Sequence, residues 1–328
     1  MVPREPTISV VIPAYGHARF IAQTLESVLG QTRPPSQVIV INDGSPDATR
    51  GAVRPFLDRI TYLEQPNRGI VPTMNRALEL ATGDYVCPSA SDDWLEIDAL
   101  ETLGAILDGH PRVGLAYGDV SFADADGRVL ERPRWVRFPV GLHRRVEGQI
   151  RRGYIAGQAV LLRRQALADA GTQMLDFSTH HDWAMWISIG LSGWDYYGVP
   201  KRVSFYRRHG GNITDRIGRR THYADILALI ALLEARYADT MAPRQRRAFR
   251  AVERQARRRI ALMSLVDGDR SAARRAFKSL LIGDRDVRAV LGLGLSALPA
   301  GWFGSLVAAD SRMMKRQNRL AIRLKQWL

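Results

Sequence analysis

The chain has little cysteine: one, Cys87, among 328 residues. A lone cysteine excludes an intramolecular disulfide framework and a Cys-rich zinc site. The first residues, Met1-Val2-Pro3-Arg4-Glu5-Pro6, show no signal-peptide core, so the expected location of the catalytic bulk is the cytoplasm. Low-complexity segments are absent, and there is no Gly-rich loop followed by Lys of the kind that cradles nucleoside triphosphates. Charged residues are 24% and hydrophobic residues 46% of the chain. That balance excludes a disordered chain and a polytopic membrane protein.

Positive charge is abundant but unevenly placed. Residues 215–328 hold 24 of the 47 Lys and Arg but 10 of the 33 Asp and Glu, so the whole net charge of +14 lies there. The front of the chain is neutral. A nucleic-acid binder working through the basic part is one alternative, but no DNA- or RNA-reading motif appears, and the arginines are spread along helical patterns. The expectation is therefore no nucleic-acid partner.

In the first hundred residues, short apolar runs alternate with helical patterns. Ile8–Pro13, Val38–Ile41, Ile60–Leu63 and Asp84–Cys87 read as strands. Helices are expected at 20–29, 47–58 and 70–81. This alternation implies right-handed βαβ units and a mostly parallel sheet. Ligands bind beyond the carboxyl ends of such strands. Pro13-Ala14-Tyr15, Asn42-Asp43-Gly44, Gln65–Gly69 and Pro88–Trp94 should then line one crevice. Further on, Val113–Phe122 and Val129–Arg132 suggest a hairpin around Asp126-Gly127. Ala159–Leu162 reads as a strand, with helices at 164–170 and 182–192. Residues 221–281 are almost all helical in pattern, and a boundary near 214 separates an α/β domain, 1–214, from a helical basic region, 215–328.

Several polar groups fall where chemistry is possible. Asp43 closes the second strand and can accept hydrogen bonds from a base or ribose, or cap the next helix. Asp92-Asp93 follows the fourth strand; adjacent carboxylates suit a hard cation shared with phosphate oxygens, or an N-cap near Leu95. Asp182 opens a helix, where it can act as a general base or as a cap. His180-His181-Asp182 lacks the i+4 spacing of a zinc site. Arg207 and His209, beside Gly210-Gly211, suit a diphosphate and a metal. Trp183 and Trp186, three residues apart, favour core packing.

These motifs in this order resemble the family-2 glycosyltransferases of the GT-A fold. The resemblance runs over residues 7–214, through Val10–Tyr15, Ser27–Thr32, Val40–Ser45, Asn67-Arg68-Gly69, Asn75, Ala81–Val86, Asp92-Asp93-Trp94, Asp182-Trp183, Trp186 and Tyr206–His209 with Asn212-Ile213-Thr214. It implies a GT-A α/β fold with a mostly parallel sheet flanked by helices. It also implies an inverting transfer from a UDP- or dTDP-sugar to a hydroxyl of a glycan or lipid-linked acceptor in cell-envelope polysaccharide synthesis. Pro13, Ala14, Tyr15, Asp43, Asn67, Asn75, Asp92 and Arg207 would bind the sugar nucleotide. Asp92 and His209 would hold Mg²⁺ or Mn²⁺, and Asp182 would be the base. Two positions depart from the pattern: Ala90 replaces the first carboxylate of the Asp-x-Asp motif, and Met74 stands where Arg is usual, with Arg68 or Arg76 able to replace its charge. Ala90 also leaves open a catalytically degenerate scaffold; a nucleotidyltransferase is a further enzymatic alternative.

Residues 289–309 carry no charge, enough length to span a bilayer, but Gly292, Gly294, Gly301, Gly304 and Pro299 interrupt them. An interfacial or domain-docked pair of helices is expected. Met313, Leu320, Leu324 and Leu328, flanked by Lys315, Arg316, Arg319, Arg323 and Lys325, form a basic amphipathic pattern suited to an anionic leaflet. Trp135 and Phe138 lie in a loop that acceptor or membrane could meet. Peripheral attachment at the inner face of the cell membrane is the resulting expectation.

Overall fold

A computed structural model describes residues 4–130, 138–171, 177, 180–212 and 218–297. The chain forms two compact units, Met1–Arg216 and Ile217–Leu328.

The first unit is built on one sheet. Its strands are β1 (Ile8–Ala14), β2 (Gln37–Asn42), β3 (Thr61–Glu64), β4 (Tyr85–Pro88), β5 (Trp94–Leu95), β6 (Val113–Ala123), β7 (Gly141–His143), β8 (Val160–Arg163) and β9 (Asp195–Arg207). The order is β3-β2-β1-β4-β8-β6-β9-β5, with β7 pairing β9. β3, β2, β1 and β4 run parallel. Every residue of β1 is buried, as a continuous apolar run covered on both faces requires. Val10, Val11 and Ile12 are fully inaccessible. Burying each such side chain contributes roughly 1.5–3 kcal/mol. Cys87 packs in the same core.

Between the strands lie α1 (Ile21–Leu29), α2 (Thr49–Val53), α3 (Ile70–Leu80) and α4 (Ala99–Gly109). Pro55 interrupts the helix expected over 47–58: α2 ends at Val53, and Arg54–Phe56 tighten into a 3-10 turn. Helix α4 starts at Ala99, and Trp94-Leu95 pair with β9 instead. Asp92-Asp93 therefore do not cap a helix. The chain runs from β1 outward to β3, then crosses back to place β4 on the other side of β1. The direction of winding reverses between β1 and β4, and there the carboxyl ends leave a crevice.

β9 has no counterpart in the apolar pattern, because Gly198, Pro200, Lys201 and Arg202 break its period. The structure absorbs them in a bulge: Tyr117 pairs with Gly198, but Asp119 pairs with Arg202. Beyond the bulge, β9 carries Arg207 back to the carboxyl edge of the sheet. The hairpin expected at Asp126-Gly127 is reduced to a turn and one bridge, Ala123 to Val129. The unit is completed by α5 (Glu147–Arg152), α6 (Arg164–Ala170) and α7 (His181–Leu191).

The second unit is helical: α8 (Arg219–Arg236), α9 (Pro243–Val266), α10 (Arg270–Ile282) and α11 (Ala289–Ala297). Asp269 caps α10 by accepting from the Ala272 amide. Ala261, Leu265, Ala273, Phe277, Leu280 and Ala289 form its core. Arg258 and Asp286 form a buried ion pair. Helix α11 is the first part of the uncharged segment and packs on α10. A Cβ on Gly292 would lie 2.3 Å from the Phe277 ring, so only glycine permits that approach. Among the described residues, no helix is long and apolar enough to cross a membrane. Residues 298–328, with the basic amphipathic pattern, and Trp135, Ile213 and Thr214 lie outside the described residues.

Candidate active site

The crevice between β1 and β4 gathers three potential metal ligands: His17, Asp92 and His209, with their ligand atoms all within 4.8 Å of one another. Each arrives from a different strand end. His17 follows β1, Asp92 follows β4, and His209 follows β9. His209 Nε2 lies 2.9 Å from Asp92 Oδ2, and His17 Nε2 lies 3.8 Å from the same oxygen. Ser91 Oγ lies 2.8 Å from His17 Nδ1. If the Nδ1 proton is donated to Ser91, the Nε2 lone pair faces Asp92, the usual support for a ligating imidazole. Burial holds His17 below the ordinary imidazole value; Asp92 works against this, and His209 adds to it. The donors, two imidazoles and a carboxylate, suit a divalent transition metal better than a hard cation that takes oxygen ligands alone.

His17 was not singled out from the sequence, although it stands three residues past Ala14, at the end of β1. A histidine just beyond the carboxyl end of a central strand was the available signal. The structure brings it beside Asp92, in a chain whose Asp-x-Asp motif has Ala90 in place of its first carboxylate.

The paired carboxylates part company. Asp93 turns inward, and its Oδ1 accepts from the Arg207 amide at 2.8 Å. Burial, then the charge of Asp92, raise its carboxyl well above the usual range.

Arg207 requires a correction. Its guanidinium was expected at a diphosphate, but the side chain is buried in the protein. Nε donates to the Asp92 carbonyl at 2.8 Å, Nη1 to the Ala125 carbonyl at 3.1 Å, and Nη2 to Gln23 Oε1 at 2.5 Å. Phe20 and Trp94 sandwich it, with centroids 4.8 and 4.6 Å away. Its fork is engaged in holding the Asp92 loop, because β9 delivers it beneath that loop and not into the crevice. Burial lowers its pKa, while Asp93 and Asp92 oppose the shift.

Asp43, at the end of β2, is buried. Its Oδ1 accepts from Gln65 Nε2 at 2.7 Å and the Arg68 amide at 2.9 Å, and Oδ2 from the Gly69 amide at 2.9 Å. It ties the β3–α3 loop to the crevice. Gly44 makes this possible: at φ +67°, its Cβ position lies 2.8 Å from the Asn67 nitrogen. Asn67 is exposed on that loop, Asn75 is half-buried in α3, and Met74 is buried. Arg76 donates to Gln65 Oε1 at 2.7 Å, which joins it to the Asp43 network. Pro13 and Ala14 are buried at the end of β1, and Tyr15 is 49% exposed over the crevice edge.

Asp182 sits on the first turn of α7, after His180 at φ 65°. Its Oδ1 accepts from the Trp183 amide at 2.7 Å. A Cβ at Gly157 would lie 2.9 Å from its Oδ2. Residues 157–159 lead into β8, whose antiparallel pairing with β4 brings them to the edge that carries Asp92. Gln158 approaches Asp93 there. Asp182 thus belongs to the same edge of the sheet. Trp186 is fully buried, and Trp183 Nε1 donates to the Gln149 carbonyl at 2.9 Å, so both tryptophans are packing residues.

Residues 9–170 match the family model described as Glycosyl transferase family 2. TuaG of Bacillus subtilis, named for teichuronic acid biosynthesis, is 28% identical over 215 residues, 64% of this chain and 82% of that protein. Some other curated relatives are much longer: the hyaluronan synthase of Pasteurella multocida is 37% identical over 103 residues, 30% of this chain and 11% of that protein. Among solved structures, Staphylococcus aureus TarS 1–349 with UDP-GlcNAc aligns at TM-score 0.59 and 15% identity, over 84% of this chain and 92% of that one. The mannosyltransferase PcManGT of Pyrobaculum calidifontis, with GDP-Man and Mn²⁺, aligns at TM-score 0.60 and 19% identity, over 99% and 84%. These likenesses identify the fold as GT-A.

Proposed function

Residues 9–170 belong to glycosyl transferase family 2 and the chain is a glycosyltransferase; from that premise we propose an inverting transfer from a nucleotide-diphosphate sugar, UDP- or dTDP-linked, to a hydroxyl of a cell-envelope glycan. The observation that carries this reading is the His17–Asp92–His209 cluster at the β1/β4 switch point, beside the Asp43-tethered loop. Pro13, Ala14 and Tyr15 would face the base, and Asn67 and Asn75 the sugar nucleotide. Asp43 would offer its remaining acceptor capacity to the base while holding the loop. TarS with UDP-GlcNAc and PcManGT with GDP-Man support a nucleotide-sugar donor.

Of the Mg²⁺ or Mn²⁺ expected from the sequence, His17, Asp92 and His209 would hold Mn²⁺ more readily, because two imidazole nitrogens suit Mg²⁺ poorly. A divalent cation bound there would offset the charge that develops on the departing diphosphate. His209 Nδ1 lies 3.3 Å from the Gly211 amide, a contact that must loosen for Nε2 to offer a lone pair. Asp182 takes the proton of the acceptor hydroxyl. That oxygen bonds to the sugar C1 as the C1–O bond to the diphosphate breaks, and the nucleoside diphosphate leaves with the electron pair. Arg207 positions Asp92 and does not touch substrate.

The second unit would rest on an anionic membrane at the inner face of the cell. Its net positive charge supports this, as do Ile282 and Val287, exposed at 68% and 76%.

The test is the melting temperature against UDP, dTDP, GDP, CMP and their sugars, with and without Mn²⁺. A ligand that binds the native state raises it by mass action. A rise with one diphosphate, enlarged by Mn²⁺ and lost in Asp92→Ala, is expected. No response to any nucleotide would overturn the reading. Asp182→Asn should keep the rise and lose turnover; unchanged turnover would remove Asp182 as the base.

A further inference from the structure

The arginines of the first unit are mostly engaged. Arg4, Arg19, Arg33, Arg202 and Arg207 each meet a named acceptor. The side chains of Arg54, Arg68 and Arg128 are exposed without a named acceptor, and so are those of Arg144, Arg145, Arg151 and Arg152, which are set apart by their clustering. None of these last four forms an ion pair with a described residue. They fall within nine residues of a stretch, 138–158, whose sole acid is Glu147. Both carboxylate oxygens of Glu147 are buried. In this stretch four exposed arginines stand against one buried carboxylate.

Packing fixes where this charge lies. A Cβ on Gly190, near the end of α7, would fall 2.8 Å from Val146 Cβ. One on Gly153 would fall 3.3 Å from the Trp183 indole, near the start of α7. Helix α5 therefore runs antiparallel along α7, anchored at both ends. Arg144 and Arg145 sit toward the far end of α7, and Arg151 and Arg152 toward its first turn, where Asp182 stands. The helix between them advances about 1.5 Å per residue, so the two pairs are roughly 9 Å apart. That exceeds one diphosphate. The arrangement suits a chain with repeated charges.

We propose that the acceptor is a polyanionic glycan, carrying carboxylate or phosphate groups along its chain, that lies on α5 and directs its terminal hydroxyl to Asp182. The proposal rests on the glycosyl-transfer reading with Asp182 as base. The arginines select and orient the acceptor by charge, which fixes register more than it adds raw affinity.

Hydrogen exchange of the full chain localises the interaction despite the basic second unit. The probes are oligogalacturonate, an oligo(glycerol phosphate), a neutral dextran oligomer, and phosphatidylglycerol vesicles. At least one anionic oligomer should slow the amides of residues 141–158 by about threefold or more, and the arm that does so names the charged group. Dextran should not. The variant R144Q/R145Q/R151Q/R152Q should lose this protection yet keep the melting rise with nucleotide. Asp182→Asn should keep the protection, which separates failure of the base from failure of the acceptor track. The proposal is overturned if neither anionic oligomer protects 141–158, if dextran protects it equally, if protection is confined to 218–297, or if only vesicles protect it.

Discussion

Replacing Arg207 separates its two possible roles. In Arg207→Met the stem remains and the fork is lost. Three acceptors then lose their donor: the Asp92 and Ala125 carbonyls and Gln23 Oε1. Leaving a buried acceptor unmade costs about 1–3 kcal/mol each. Two ring contacts, to Phe20 and Trp94, disappear as well. Each contributes about 0.5–2 kcal/mol. Relief of the cation's own burial offsets part of this, as its lowered pKa indicates. Removing one partner of a buried charge network typically destabilises by about 3–5 kcal/mol, and that range is expected here. For a unit of this size it corresponds to a fall of roughly 6–20 °C in melting temperature. Urea denaturation followed by tryptophan fluorescence measures it as a lower midpoint at unchanged slope. Arg207→Lys should recover only part of the loss, because an ammonium cannot fill three divergent positions. A Met variant within about 1 kcal/mol of the parent that no longer binds nucleotide would refute the positioning role and return Arg207 to the diphosphate.

Asp84 accepts from the Thr7 amide at 2.8 Å, the Thr7 hydroxyl at 2.9 Å and Arg4 at 3.0 Å. Burial pushes its carboxyl up, but these bonds outweigh it and hold the folded value below the ordinary 3.8. Its stabilisation is thus complete above the unfolded value and is lost as pH falls through the folded one. Asp84→Asn should destabilise by about 1 kcal/mol at neutral pH and flatten the acid limb of a midpoint-against-pH curve; an unchanged curve would count against the network. Burial pushes the Cys87 thiol up to about 12, so it should resist a thiol-reactive dye in the folded protein and react only on unfolding. Rapid labelling of the native protein would contradict its place in the core.

The parallel half of the sheet was legible in the residues. Runs such as Ile8–Ala14 and Gln37–Asn42 are apolar and β-branched, and Pro and Gly end them, so local chemistry suffices to make them strands. The places of Asp43, Asp92 and Asp182, where a strand stops or a helix starts, were legible. β9 was not, since its broken period makes sense only once the bulge against β6 absorbs the excess residues. Arg207 and His209 look alike from the sequence: two basic residues beside glycines. Strand β9 separates them, burying the guanidinium under the Asp92 loop and pointing the imidazole into the crevice. His17 joined the site only when the crossover after β3 set β4 beside β1, bringing Asp92 to it across 75 residues of chain. Side-chain type and spacing determined which groups could do chemistry. Strand order and register decided which of them meet, because proximity between distant segments is a property of the packed sheet and has no local trace.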